Sequence, residues 1–93
     1  MKIEDIKKKI LPVLRRHDIK KAGIFGSVAE GDMKKNSDID ILVEIKRDLS
    51  LLGFIGLEME LEKALKRKVD LVEYCAIHPL LRRQILRQEV RII

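Results

Sequence analysis

The sequence predicts an α/β domain with a three-stranded sheet. Three observations predict it. Ile3, Ile6, Ile10, Val13 and Leu14 recur at helical spacing, with Lys7, Lys8, Lys9, Arg15 and Arg16 elsewhere on the wheel. From Asp38 to Ile45 the pattern changes to strict alternation, the period of a strand. Helical and extended patterns then follow one another along the chain, as in an α/β domain. With 93 residues the chain suits one domain over 1–93, closed around a single small core.

The elements follow in order. The first helix spans roughly 2–16, and Pro12 should kink or shorten it. Ala22-Gly23-Ile24-Phe25 is a short apolar run that stops at Gly26-Ser27, as a buried strand does. Gly31, Asp32, Asn36 and Ser37 mark residues 28–37 as turns, with one helical turn at Val28-Ala29-Glu30. In the second strand Asp38, Asp40, Leu42 and Glu44 face one way, and Ile39, Ile41, Val43 and Ile45 the other. Ser50 caps a helix from Leu51 to about Arg67, whose repeat runs through Leu51, Phe54, Ile55, Glu58, Leu61 and Leu65. Gly53 and Gly56 weaken that helix but allow close packing. Lys68 to Tyr74 is the third strand. His78-Pro79 opens the last helix, with Pro at its favoured first position and Leu81, Ile85 and Leu86 as its apolar stripe.

Composition narrows the function. Charged residues make up 38% and no apolar run exceeds a few residues, so no bilayer-spanning segment is expected. The charged amphipathic start Met1-Lys2-Ile3-Glu4-Asp5 carries no secretory signal pattern, and a cytoplasmic location is expected. Cys75 is the single cysteine, which excludes an internal disulfide and suits a reducing compartment. The net charge of +5 favours anionic partners. Aromatics at 3% leave little to stack on bases, which argues against direct nucleic-acid binding.

The chemistry lies in acids placed where strands should be apolar. Buried carboxylates cost several kcal/mol unless they are paired or bind a cation. Yet Asp38 and Asp40 sit in the Ile-rich second strand, and Asp70 interrupts Val69-Leu71-Val72 in the third. Residues i and i+2 share a strand face, roughly 6.5–7 Å apart, close enough for two carboxylates to grip one divalent ion or share a pair. An isolated Asp-x-Asp is usually a turn cap and a solvent-facing strand residue. Here it follows a Gly-Ser turn by ten residues, which is far more specific. Gly admits close backbone approach, and Ser offers a hydroxyl and an N–H where donors face an anion.

The stretch Gly26-Ser27-Val28-Ala29-Glu30-Gly31, followed by Asn36-Ser37-Asp38-Ile39-Asp40-Ile41-Leu42-Val43, resembles the signature of the polymerase-beta-like nucleotidyltransferase superfamily. The whole chain is similar to a minimal nucleotidyltransferase (MNT). The likeness includes Lys68-Val69-Asp70-Leu71-Val72 and the closing Leu80-to-Val90 helix. It implies a polymerase-beta palm-like fold, a small mixed sheet flanked by helices. It also implies ATP as substrate and two Mg²⁺ ions, with Mn²⁺ as an alternative. Carried over, Gly26 and Ser27 hold the triphosphate, Asp38 and Asp40 bind both ions, and Asp70 binds one and helps deprotonate the acceptor hydroxyl. MNT proteins are commonly antitoxin partners of HEPN-family toxin ribonucleases, and some silence the toxin by transferring AMP to a tyrosine. Glu30 stands where the family usually has Arg, which sets a like charge near the triphosphate.

A chain this short has no room for a substrate domain, so the acceptor should be presented by another macromolecule. The leading expectation is a Mg²⁺-dependent transfer of AMP from ATP to a HEPN partner. The alternative is a non-catalytic antitoxin that neutralises its partner by forming a complex. Leu51, Leu52, Phe54, Ile55, Leu57 and Met59 surround much of one helix, which points to a homodimer or partner contact, with Leu52 and Leu57 outward and Ile92-Ile93 contributing. Lesser signals read as structural. Lys34 and Lys35 suit a solvated loop, and Arg83, Arg87 and Arg91 a solvated stripe on the last helix. His17 and His78 lack a second ligand at metal spacing. Cys75 suits a packing role, and so does Tyr74, the sole Tyr.

Overall fold

The computed structural model describes residues 2–26, 38–45 and 49–93. Its elements are α1 (Ile3–Arg16), β1 (Ala22–Phe25), β2 (Ile39–Val43), α2 (Leu51–Leu65), β3 (Val69–Glu73), a 3-10 turn at Tyr74–Ala76, α3 (Pro79–Gln88) and β4 (Val90–Arg91). The sheet order is β3-β2-β1-β4. β1 runs antiparallel to β2 and β4, and β2 runs parallel to β3.

The α/β architecture and the mixed sheet are as expected, but the sheet has four strands rather than three. Glu89 adopts extended backbone and ends α3. Val90 and Arg91 then pair with Ile24 and Gly23. Arg91 therefore lies in a strand and does not continue the Arg83 and Arg87 stripe of the helix. Ile92 is buried in the main core and Ile93 packs against it, so this pair fills the protein's own interior and is not spare surface for an interface. Two residues are too few for a period-two signal, and only the open flank of β1 makes them a strand.

Each helix forms where its signals place it. α1 buries Ile6, Ile10, Val13 and Leu14. Pro12 does not shorten it: Pro12 is exposed, and Val13 and Leu14 beneath it carry the helix on to Arg16. α2 starts at Ser50, whose hydroxyl accepts from the Gly53 N–H at 3.1 Å. It ends at Lys66, which takes the left-handed conformation with φ 55°. α3 opens on Pro79, and His78 Nδ1 accepts from the Leu80 N–H at 3.2 Å. No residue of α3 is buried, although Ile85 packs against the second core cluster.

α1 and α2 cover one face of the sheet. Their apolar sides meet Ile24, Ile39, Ile41, Val43, Val69 and Leu71. Glu60 of α2 ties the pair at the surface, meeting Arg16 at 3.1 Å and His17 Nε2 at 3.2 Å. On the other face Leu42, Tyr74 and Ile77 form a small second cluster, with Phe25, Val72 and Ile85 against it. The alternation in β2 thus sends Ile39, Ile41 and Val43 to one core and Leu42 to the other, and Asp40 is left half-buried.

The buried stripe of α2 is Leu57, Leu61 and Leu65, with Phe54 and Ala64 beside it. Leu57 was expected to face outward, and it is fully buried. Leu51 (74% exposed), Leu52 (80%), Ile55 (42%) and Met59 (62%) are the outward apolar residues. A helix rich in Leu and Ile all round offers several stripes of similar strength, and only the sheet selects the one that is covered.

Candidate active site

The sheet brings two of the three predicted carboxylates side by side. Asp40 and Asp70 are register partners on the parallel strands β2 and β3. Neighbouring strands lie about 4.8 Å apart, and register partners project from the same face. On the other flank of β2, Phe25 is the register partner of Asp40, so the end of β1 and Gly26 adjoin the same carboxylate. Asp38 precedes β2 and is exposed, and Asp70 is also exposed.

Gly26 has a second reason to be glycine besides room for a ligand. Its φ is +77°, a conformation that other residues adopt at a cost of roughly 1–2 kcal/mol. A Cβ there would also overlap Oδ2 of Asp40. The strand end and the carboxylate are therefore built against each other, which the sequence motif alone does not reveal.

Electrostatics mark Asp40 as the strained member. Its pKa is pushed up to about 6, first by burial, then by the negative charges of Asp70 and Asp38. Burial and two like charges all disfavour its ionised form, and a bound cation would relieve all three. Among the described residues no three His, Cys, Asp or Glu side chains converge closely enough to hold a metal ion as they stand. The donor set still fits a hard divalent cation, because all three groups are carboxylates and two are placed as neighbours by the sheet.

A stability prediction follows. The raised pKa means that the folded state holds the Asp40 proton more tightly than the unfolded chain does. Asp40's contribution is thus most favourable below about pH 4, and it is lost as pH rises through about 6. Asn mimics the neutral acid. In a metal chelator, Asp40→Asn should therefore melt at a higher temperature than the parent at pH 7.5 and at the same temperature at pH 4. Equal melting at both values would show that the carboxylate is not strained.

Other predicted residues separate cleanly. Ser27, Glu30, Lys34, Lys35 and the turn 28–37 lie outside the described residues. Tyr74 is structural: it is buried, its hydroxyl donates to the Glu89 carboxylate, and Lys21 Nζ sits 4.4 Å from its ring centroid. Burial and that carboxylate push its pKa well above the ordinary tyrosine range. Cys75 is exposed and not a packing residue; its thiol donates to Glu73 at 3.2 Å, which pushes its pKa up. Sequence reasoning missed Glu58 and Glu62, which accept from the N–H groups of Leu71 and Val69 on either side of Asp70. The only hint was their spacing of four on one helix.

Residues 8–93 match the family described as Polymerase beta, Nucleotidyltransferase. The chain belongs to this family. It is a minimal nucleotidyltransferase of the α/β type described above. It is 47% identical, over the full length of both chains, to a protein of Methanocaldococcus jannaschii named provisionally as protein adenylyltransferase MJ0435. It is also similar to a solved toxin–antitoxin structure with AMP-PNP, with a TM-score of 0.81 and 30% identity over 94% of this chain and 72% of that one. A third similarity is to a chain of the solved complex of a tri-AMPylated Shewanella oneidensis HEPN toxin with MNT antitoxin. There the TM-score is 0.74 and the identity 26%, over 97% of this chain and 71% of that one.

Proposed function

We propose that this nucleotidyltransferase transfers AMP from ATP to a tyrosine hydroxyl of a HEPN-family toxin ribonuclease and so acts as its antitoxin in the cytoplasm. The observation that carries the reading is the register pairing of Asp40 with Asp70 beside Gly26, in a chain of this family. The similarities to a protein named as an adenylyltransferase and to a chain of the complex of an AMPylated toxin with MNT antitoxin support it.

Asp38, Asp40 and Asp70 would hold Mg²⁺, or Mn²⁺ in its place. When bound, such ions supply Lewis-acid stabilisation of charge on the phosphoryl oxygens. The rest falls to the chain. Gly26 keeps the end of β1 bare of side chain, so that backbone can approach the triphosphate, and Ser27 follows with its hydroxyl and N–H. Asp70 is exposed, so its carboxylate is open to an incoming hydroxyl and can take its proton. The acceptor must come from outside: the chain's one tyrosine, Tyr74, is buried and its hydroxyl is engaged by Glu89. A partner surface is available on α2, where Leu51, Leu52 and Met59 stand exposed. A second copy of the chain could occupy the same face.

The test is α-labelled ATP with Mg²⁺ and the HEPN partner. Label should pass to the partner, map to a tyrosine by mass spectrometry and abolish its ribonuclease activity. Loss of ribonuclease activity on mixing, with no AMP on the partner, would favour the non-catalytic antitoxin instead.

A further inference from the structure

Among the described residues β3 is the terminal strand of the sheet, bonded to β2 on one side only. The outer side of such a strand normally presents bare N–H groups to water or to another chain. Here two of them are taken. The Val69 N–H donates to Glu62 Oε2 at 3.0 Å, and the Leu71 N–H donates to Glu58 Oε2 at 3.4 Å. Glu58 and Glu62 are four residues apart on α2, so both rise from one side of the helix. They are half-buried, and α2 is held against the sheet by Leu57, Leu61 and Leu65.

Asp70 lies between the two captured amides. Its own backbone faces β2, where it is the register partner of Asp40. The strand segment that carries Asp70 is thus gripped from both sides, by β2 and by the two glutamates. A carboxylate accepting from an N–H is among the stronger protein hydrogen bonds, more so when partly shielded from water. Asp70 is exposed, so its position depends chiefly on the backbone that carries it.

We infer that Glu62, assisted by Glu58, is a positioning residue for Asp70: the α2 glutamates fix the edge of β3 and hold the Asp70 carboxylate in register with Asp40. The inference rests on the function proposed above for its bearing on transfer, but not for its bearing on the strand. The same two bonds leave fewer outward N–H groups on this edge for strand addition.

The test compares Glu62→Ala with Glu62→Gln, whose amide oxygen can accept the same bond. Loss of a residue that orients a ligand typically costs about 10- to 100-fold. Glu62→Ala should lower kcat for AMP transfer by about that factor while leaving KM for ATP within about twofold. It should weaken Mn²⁺ binding to the chain alone and speed amide exchange at Val69. Glu62→Gln should restore all three. A folded Glu62→Ala protein with fast Val69 exchange but parental kcat and Mn²⁺ affinity would overturn the inference. So would Glu62→Gln failing as badly as Ala, since charge and not the hydrogen bond would then matter. Should Glu62→Ala not fold, Glu58→Ala puts the same questions to the Leu71 amide. If the parent chain transfers no AMP, the proposed function fails, and Mn²⁺ affinity with amide exchange still decides the positioning role.

Discussion

Asp40→Asn combined with Asp70→Asn should abolish AMP transfer and leave the domain folded. The two carboxylates are register partners and the only predicted acids that the sheet itself sets side by side. Under the proposed function, removing both would remove the shared grip on a divalent ion and the group that would take the acceptor proton. Each decade of rate corresponds to about 1.4 kcal/mol, so a loss of several kcal/mol means about a thousandfold or more. The fold should survive because Asp40 is destabilised in its ionised form by burial and by Asp70 and Asp38. Single-turnover transfer with labelled ATP, beside circular dichroism and thermal melting, measures both halves. A folded double variant that transfers within tenfold of the parent would remove these residues from the site.

Leu57→Glu should unfold the protein, whereas Leu52→Glu should not. Leu57 is fully buried against the sheet, while Leu52 is 80% exposed on the same helix. Burying an unpaired carboxylate costs several kcal/mol, added to the loss of a packed leucine. A domain this small is marginal, with roughly 5–15 kcal/mol of stability at most. Leu52→Glu instead places charge on the exposed face with Leu51 and Met59, and should weaken association while the melting temperature stays within a few degrees. The two circular dichroism melts, with light scattering in the presence and absence of partner, check this. Cooperative unfolding of Leu57→Glu near the parental temperature would contradict the packing.

Much of the candidate site was legible because acids stand out against strands. Asp40 and Asp70 interrupt Ile- and Val-rich runs, and a carboxylate in such a run calls for a partner. Gly26 was legible as a turn residue, but not as the neighbour whose missing Cβ leaves space for Asp40 Oδ2. Glu58 and Glu62 were illegible as site residues. A glutamate on a helix is ordinarily solvated, and nothing local says that a strand edge lies beneath it.

Local pattern therefore determined the elements: the helical spacing of Ile6 and Ile10, the alternation of Ile39 to Val43, the Ser50 cap and the Pro79 start are each settled within one or two turns of chain. Motif spacing determined the family. Tertiary structure alone decided which stripe of α2 is buried, that Val90 and Arg91 form a fourth strand, and that Asp40 meets Asp70 in register. The reason is range. A cap or a period is written in neighbouring residues, whereas register and burial depend on surfaces contributed by segments far apart in the chain.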